Sequence, residues 1–244
     1  MAFEWDHLHE RLWLSWLRGQ EERIETKRRV AGGAMHVDIV LWGPLDRPPL
    51  EFFDFVPGGL TGVENKAPGT MVRVPDVFRL AGKLGLLLER EAIESRRPIE
   101  PDRSSIVLVG AALSHDLLRA GGVDLATLRP GVRRVARFHP AIFLVSADDL
   151  PPTVKNAPWI VYYGSDEAVE RLVRELDPVA YGDLLSRAFV HRRFVLRRAL
   201  KQRGIDMSEI KLDLKGAIEE IGVKRVIEEV GLKEVIEEVG LKEV

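Results

Sequence analysis

Hydrophobic positions follow two rhythms along this chain, and the switches between them predict its layout. Residues 3 to about 20 carry Phe3, Leu8, Leu12, Trp13, Trp16 and Leu17 at helical spacing, and Gly19 closes that segment. A weak alternation over Arg23–Val30, the Gly32-Gly33 pair and a stronger alternation over Met35–Trp42 predict a hairpin. In its second strand Val37, Ile39 and Leu41 share one face, and His36, Asp38 and Val40 share the other. Gly43–Pro57 holds four prolines and reads as connection, with room for a short strand at Leu50–Val56. Leu60–Lys66 is the next strand, Pro68-Gly69 ends it, and Thr70–Val74 is extended. Val77, Leu80, Leu84, Leu87 and Leu88 then mark a helix over 75–93 that opens at Pro75-Asp76. Gly82 and Gly85 within it are expected to allow close packing.

The second half continues the mixture. Ser104–Leu113 is a buried strand, Ser114 and Asp116 start a short helix over 115–120, and Val132–Phe138, Ala141–Ser146 and Trp159–Tyr163 read as further strands. Ser165-Asp166-Glu167 opens an amphipathic helix that runs to about Leu176. This order predicts an α/β fold, a sheet sandwiched by helices. From Tyr181 to Arg203 the chain reads as a basic helix, with no acidic residue after Asp183. Arg187, Arg192, Arg193, Arg197 and Arg198 supply the charge, and Phe189, Val190, Phe194, Leu196 and Leu200 the apolar positions.

The tail repeats. Residues 218–226, 227–235 and 236–244 read IEEIGVKRV, IEEVGLKEV and IEEVGLKEV, a nine-residue period. Nine residues make two and a half helical turns, so one straight helix would smear the apolar positions around its surface. Cut at Gly222, Gly231 and Gly240, each copy keeps its apolar residues at i, i+3, i+4 and i+7 and ends at a glycine cap. Such short helices are unstable alone and must stack on one another or on a partner. A stacked array or a dimerising surface over 213–244 is the expectation; one long helix is the alternative. The segments are thus 1–178 for the core, 179–205 for the basic helix and 206–244 for the tail.

Composition narrows the chemistry only modestly. At 244 residues, 45% hydrophobic and 30% charged, the chain is long enough for a proper core and ordinary for a globular protein. A net charge of −2 gives no whole-chain argument for a polyanionic partner, so such an argument has to be local. The absence of cysteine excludes disulfides and thiolate metal sites. The acidic, aromatic opening Met-Ala-Phe-Glu-Trp-Asp is unlike a secretory signal, and no apolar run approaches a membrane span. A cytoplasmic protein with no membrane contact is expected.

The charges on the Leu60–Lys66 strand carry the chemical interest. Glu64 and Lys66 are two residues apart and project to one side, and Asp38 lies in an apolar strand of its own. Two carboxylates from neighbouring strands can hold a hard cation through oxygen and leave positions for water and phosphate. Such a cation polarises a phosphate and acidifies bound water, and Lys66 would orient that water or offset developing negative charge. The plain alternative is a Glu64–Lys66 salt bridge or ordinary edge-strand charges. His36 reads as a hydrogen-bonded strand histidine rather than a ligand, and the five tryptophans as core anchors. Arg133, Arg134 and Arg137 read as surface charge. The basic helix would either track a phosphate backbone, with steep salt dependence, or be a solvated face paired with the acidic tail.

Taken together, the order of elements is similar to the core of the PD-(D/E)XK nuclease superfamily: helix, hairpin with aspartate in its second strand, Glu-x-Lys strand, long helix, further strand. More narrowly the chain resembles transposase-like bacterial proteins of that superfamily that end in "GLERVIEAV"-type repeats, close to Gly231–Val239 here. Their strand often reads Glu-His-Lys-Ser/Ala-Pro-Gly, which Glu64-Asn65-Lys66-Ala67-Pro68-Gly69 nearly repeats, and Val77–Gly82 looks like their helix. The resemblance covers roughly residues 20–110 and the tail. It implies a restriction-endonuclease-like fold and Mg²⁺-dependent, or Mn²⁺-dependent, hydrolysis of DNA. Asp38 and Glu64 would be metal ligands, Lys66 the catalytic lysine, and Arg79 or Lys83 would contact substrate or support the site. Arg192, Arg193 and Arg197 are the further candidates for substrate. Val37 stands where the family usually has proline, and the helical acid of many members has four candidates here: Glu10, Glu21, Glu22 and Glu25. Members also keep the fold without activity, so the alternative is an inactive scaffold working through its repeat tail.

Overall fold

The computed structural model describes residues 13–14, 24–30, 35–43, 56, 58–95, 99–119, 123–177, 192 and 194–205. The expected Leu50–Val56 strand, nearly all of the first helix, the first part of the basic helix and the repeat tail lie outside them. Trp13 and Leu14 are helical, and Trp13 is fully buried, as a core anchor should be. The chain divides into two compact units, one running to Pro151 with Tyr163–Ser165, the other formed by Pro152–Tyr162 and the chain from Asp166 onward.

The first unit is built on a seven-stranded mixed sheet flanked by helices. Its strands are β1 (Ile24–Arg29), β2 (His36–Trp42), β3 (Leu60–Asn65), β4 (Ser105–Gly110), β5 (Leu125–Arg129), β6 (Val132–Val135) and β7 (Ala141–Ser146). Their spatial order is β1-β2-β3-β4-β7-β6-β5. β3, β4 and β7 run parallel at the centre, and the antiparallel pairs β1–β2–β3 and β5–β6–β7 flank them. Every residue of β4 and β7 is buried, the continuous apolar run that a central parallel strand requires. The hairpin forms as its alternation predicts, in the register Thr26↔Ile39.

Parallel strands need a crossover, and helix α1 (Val74–Ser95) supplies the one between β3 and β4. Val77, Leu80 and Leu84 pack with Ile106 and Leu108 of β4 and Ile142 and Leu144 of β7, so α1 covers this face of the sheet. Deleting one of these leucines would cost about 2–5 kcal/mol. Gly82 and Gly85 do not serve close packing, contrary to expectation. Both are exposed, and a Cβ at either would meet nothing within 4 Å. At its far end α1 is tied to β1 by buried Arg28, whose guanidinium lies 2.8 Å from Glu91, 2.7 Å from Glu94 and 5.1 Å from the Trp42 ring centre.

Helix α2 (His115–Arg119) follows β4, with the Ser114 hydroxyl capping the Leu117 amide at 3.3 Å. The predicted Val132–Phe138 strand stops at Val135, because Ala136 and Arg137 turn and Arg137 takes φ 59°. Helix α3 (Ala157–Tyr163) corrects the strand predicted at Trp159–Tyr163. Trp159 to Tyr163 are all buried, and a short apolar run without periodicity fits a buried helix as well as a buried strand. Pro158 sits in the first turn of α3, where a missing N–H costs nothing.

In the second unit α4 (Asp166–Glu175) buries Ala168, Val169, Leu172 and Val173, and residues 194–202 form a helix that buries Val195, Leu196, Ala199 and Leu200. Arg203 donates to the Val173 carbonyl at 2.8 Å, satisfying an acceptor left open at the end of α4. Among the described residues, no helix is long and apolar enough to cross a membrane.

Candidate functional site

Strand register places the site. β2 and β3 pair Ile39↔Val63, so the next residues outward, Asp38 and Glu64, stand opposite each other. Glu64 also pairs laterally with Leu108, and neighbours in register project from the same face. That face is the one α1 covers. Two carboxylates directly opposite repel each other, and here each is tied down by the other's strand. Glu64 Oε1 accepts from the Asp38 amide at 3.3 Å, and Asp38 Oδ2 accepts from the Asn65 amide at 2.9 Å. These bonds replace the ladder at the point where it stops.

The remaining oxygens face side-chain nitrogens. Glu64 Oε2 takes the Lys83 ammonium, and His36 Nε2 lies 3.6 Å from Asp38 Oδ1. Glu64 and Lys83 are each only 12% exposed, so neither charge has much water to rely on. Burial, and secondarily the facing Asp38 carboxylate, push Glu64 up to about 7, against the pull of Lys83.

Lys66 does not pair with Glu64. Its amide donates to Val109 at 2.9 Å, extending the β3–β4 ladder by one bond, and its ammonium reaches Asp76 Oδ1 at 2.6 Å. Asp76 is the third residue of α1, and its Oδ2 accepts from the Arg73 amide at 2.9 Å, the reach-back of a capping box. One carboxylate thus starts the helix and holds the lysine. Arg79 lies 3.8 Å from Asp76 and is 63% exposed at the lip of the cleft. The turn between Lys66 and α1 depends on two glycines. Gly69 takes φ 69°, and a Cβ on Gly110 would lie 2.8 Å from Val72 Cγ2 and 3.0 Å from the Thr70 carbonyl.

Asp38, Glu64, Lys66, Asp76, Arg79 and Lys83 line one cleft of about 180 Å³. The structure therefore brings together every site residue expected from β2, β3 and α1. Its charges fall into two strand-to-helix pairs, Glu64–Lys83 and Lys66–Asp76, in place of the Glu64–Lys66 bridge weighed from the sequence. Asp76 was legible only as a helix start; its spacing of three from Arg73 is the capping signal that marks it. Asn65, beside Glu64, was not singled out at all, and its amide oxygen and nitrogen are buried without hydrogen-bond partners.

The basic-helix candidates fare differently. Arg192 is only 9% exposed and lies 3.3 Å from Asp166, so its charge is turned inward onto the start of α4. Arg197 is exposed, and Arg193 lies outside the described side chains. Neighbouring Arg198 pairs with Glu170 of α4, and the acidic tail lies outside the described residues. Of the four candidate helical acids, Glu25 is excluded, because it lies on β1 opposite Val40 and pairs with Arg28 at 3.1 Å; Glu10, Glu21 and Glu22 lie outside the described residues.

Among the described residues, no group of three or more His, Asp or Glu is arranged to hold a metal ion. What the site offers is a pair of carboxylates within each other's field. That donor set suits a hard divalent cation that keeps most of its water, and not a fully protein-coordinated one. Comparison with protein-family models, with curated proteins and with solved structures finds no match for this chain.

Proposed function

We propose that this protein is a Mg²⁺-dependent enzyme that hydrolyses DNA phosphodiesters, endonuclease-like or transposase-like, on a restriction-endonuclease-like core. The observation that carries the reading is the alignment of Asp38 opposite Glu64 with Lys66 two residues on, all in one cleft under α1. Asp38 and Glu64 would hold the cation, with Mn²⁺ an acceptable substitute. Bound there, it would supply electrophilic help to a phosphate and acidify a water. Lys66, held at its base by the β4 ladder and at its tip by Asp76, is positioned to meet negative charge developing at a phosphate beside Glu64. Arg79, exposed at the lip, is the residue for the flanking phosphate.

A second reading has its own observation. Four of the cleft's charges are already paired, Glu64 with Lys83 and Lys66 with Asp76, so much of the site is compensated without any ligand. That favours a nuclease-like core retained as an inactive scaffold acting through its tail. Incubating the purified protein with supercoiled and with linear DNA in Mg²⁺, Mn²⁺ or EDTA separates the two. Metal-dependent nicking is expected. DNA left intact in both metals would favour the scaffold.

A further inference from the structure

The Lys83–Glu64 pair is more than a salt bridge beside a metal site. Each of the two facing carboxylates has one oxygen committed to the opposite strand, Glu64 Oε1 to the Asp38 amide and Asp38 Oδ2 to the Asn65 amide. A cation shared by the two would leave those bonds undisturbed by drawing on the outward oxygens, Glu64 Oε2 and Asp38 Oδ1. Lys83 is hydrogen-bonded to Glu64 Oε2 itself. It reaches there from the third turn of a 22-residue helix whose apolar face is locked into the core, so its backbone is fixed and only its side chain can leave. Its counterpart Lys66 has a carboxylate of its own in Asp76 and no need of Glu64. Among the described residues, Glu64 is the carboxylate that Lys83 bonds.

We propose that Lys83 is a tethered counter-ion that competes with the divalent cation for Glu64, and that it transfers to a substrate phosphate when the cation enters. The inference rests on the metal-centre reading above and goes beyond it. An ammonium left next to a divalent cation is repelled, and a phosphate within reach of the freed side chain offers it a new partner. Removing the charge should therefore strengthen metal binding rather than weaken it, the reverse of what a ligand or supporting residue would do. It should also weaken the coupling between metal and DNA, because the part of that coupling carried by Lys83 is then lost.

The test is calorimetric titration of Mn²⁺ into the full-length protein at pH 8 without DNA, for wild type, Lys83→Met, Lys83→Arg and Asp38→Asn. Lys83→Met is expected to bind Mn²⁺ ~10-fold or more tightly, the scale of gain expected from removing one competing charge in a largely buried site. Lys83→Arg, which keeps the charge, should stay near wild type, and Asp38→Asn should lose binding. Adding a short phosphorothioate DNA duplex should tighten Mn²⁺ binding more in wild type than in Lys83→Met. Should Lys83→Met fold poorly, Lys83→Gln serves as the neutral variant, with circular dichroism as the check. Lys83→Met binding equal to or weaker than wild type overturns the counter-ion role while leaving the metal centre standing. No Mn²⁺ binding by either protein overturns both.

Discussion

Lys66 and Asp76 are ten residues apart in sequence and meet at 2.6 Å, across a strand end, a Pro-Gly turn and a helix start. The contact fixes the lysine from the helix side, while Asp76 also accepts the Arg73 amide. Its loss would touch both the helix start and the site.

Asp76→Ala should therefore cost about 2 kcal/mol of stability, the sum of a lost cap and a lost charge-assisted bond. It should also lower DNA cleavage by about 10²-fold through misplacement of Lys66. Urea unfolding and single-turnover cleavage at saturating DNA check the two. Asp76→Glu, which keeps the charge, should recover part of both. Full activity in Asp76→Ala would show that Lys66 needs no such support.

The raised Glu64 predicts a pH dependence with a definite sign. The folded carboxyl sits at about 7 against an ordinary 4.5, so the folded state holds the proton more tightly than the unfolded chain. The stabilising contribution is full below about pH 4.5 and is lost as pH rises through 7, about 3 kcal/mol in all. Urea midpoints in EDTA from pH 5 to 8 should fall in wild type and fall less in Glu64→Gln. Parallel slopes for the two proteins would count against it.

Two kinds of glycine should respond oppositely to alanine. Gly82→Ala and Gly85→Ala add a methyl to open space on a helix and should each stabilise by about 0.5–1 kcal/mol. Gly110→Ala forces a methyl against Val72 and the Thr70 carbonyl and should destabilise by about 1–3 kcal/mol. Thermal melts of the three variants are sufficient.

Sequence periodicity found the hairpin, β3, α1, β4, β7 and α4, because each has a clean rhythm or an unbroken apolar run. It turned α3 into a strand, since Trp159–Tyr163 is apolar on every side and a helix buried all round shows no stripe. β5 escaped notice because its burial is slight and it holds only Leu125 and Leu128 as large apolar residues. At the site, Asp38, Glu64 and Lys66 were legible from chemistry and spacing. Their partners were not, because which lysine meets which carboxylate depends on how α1 lies on the sheet. The burial of Arg192 was hidden for the same reason: a basic run in sequence does not reveal which of its charges turn inward.

The central claim is that Asp38, Glu64 and Lys66 form one phosphodiester-hydrolysing centre. Its most direct test is the rate of nicking of supercoiled DNA in Mg²⁺ by wild type, Asp38→Ala and Lys66→Ala, each confirmed folded by circular dichroism. Metal-dependent nicking by the wild type, lost in both variants, is the predicted result. Nicking that survives both substitutions, or is absent from the wild type, would contradict it.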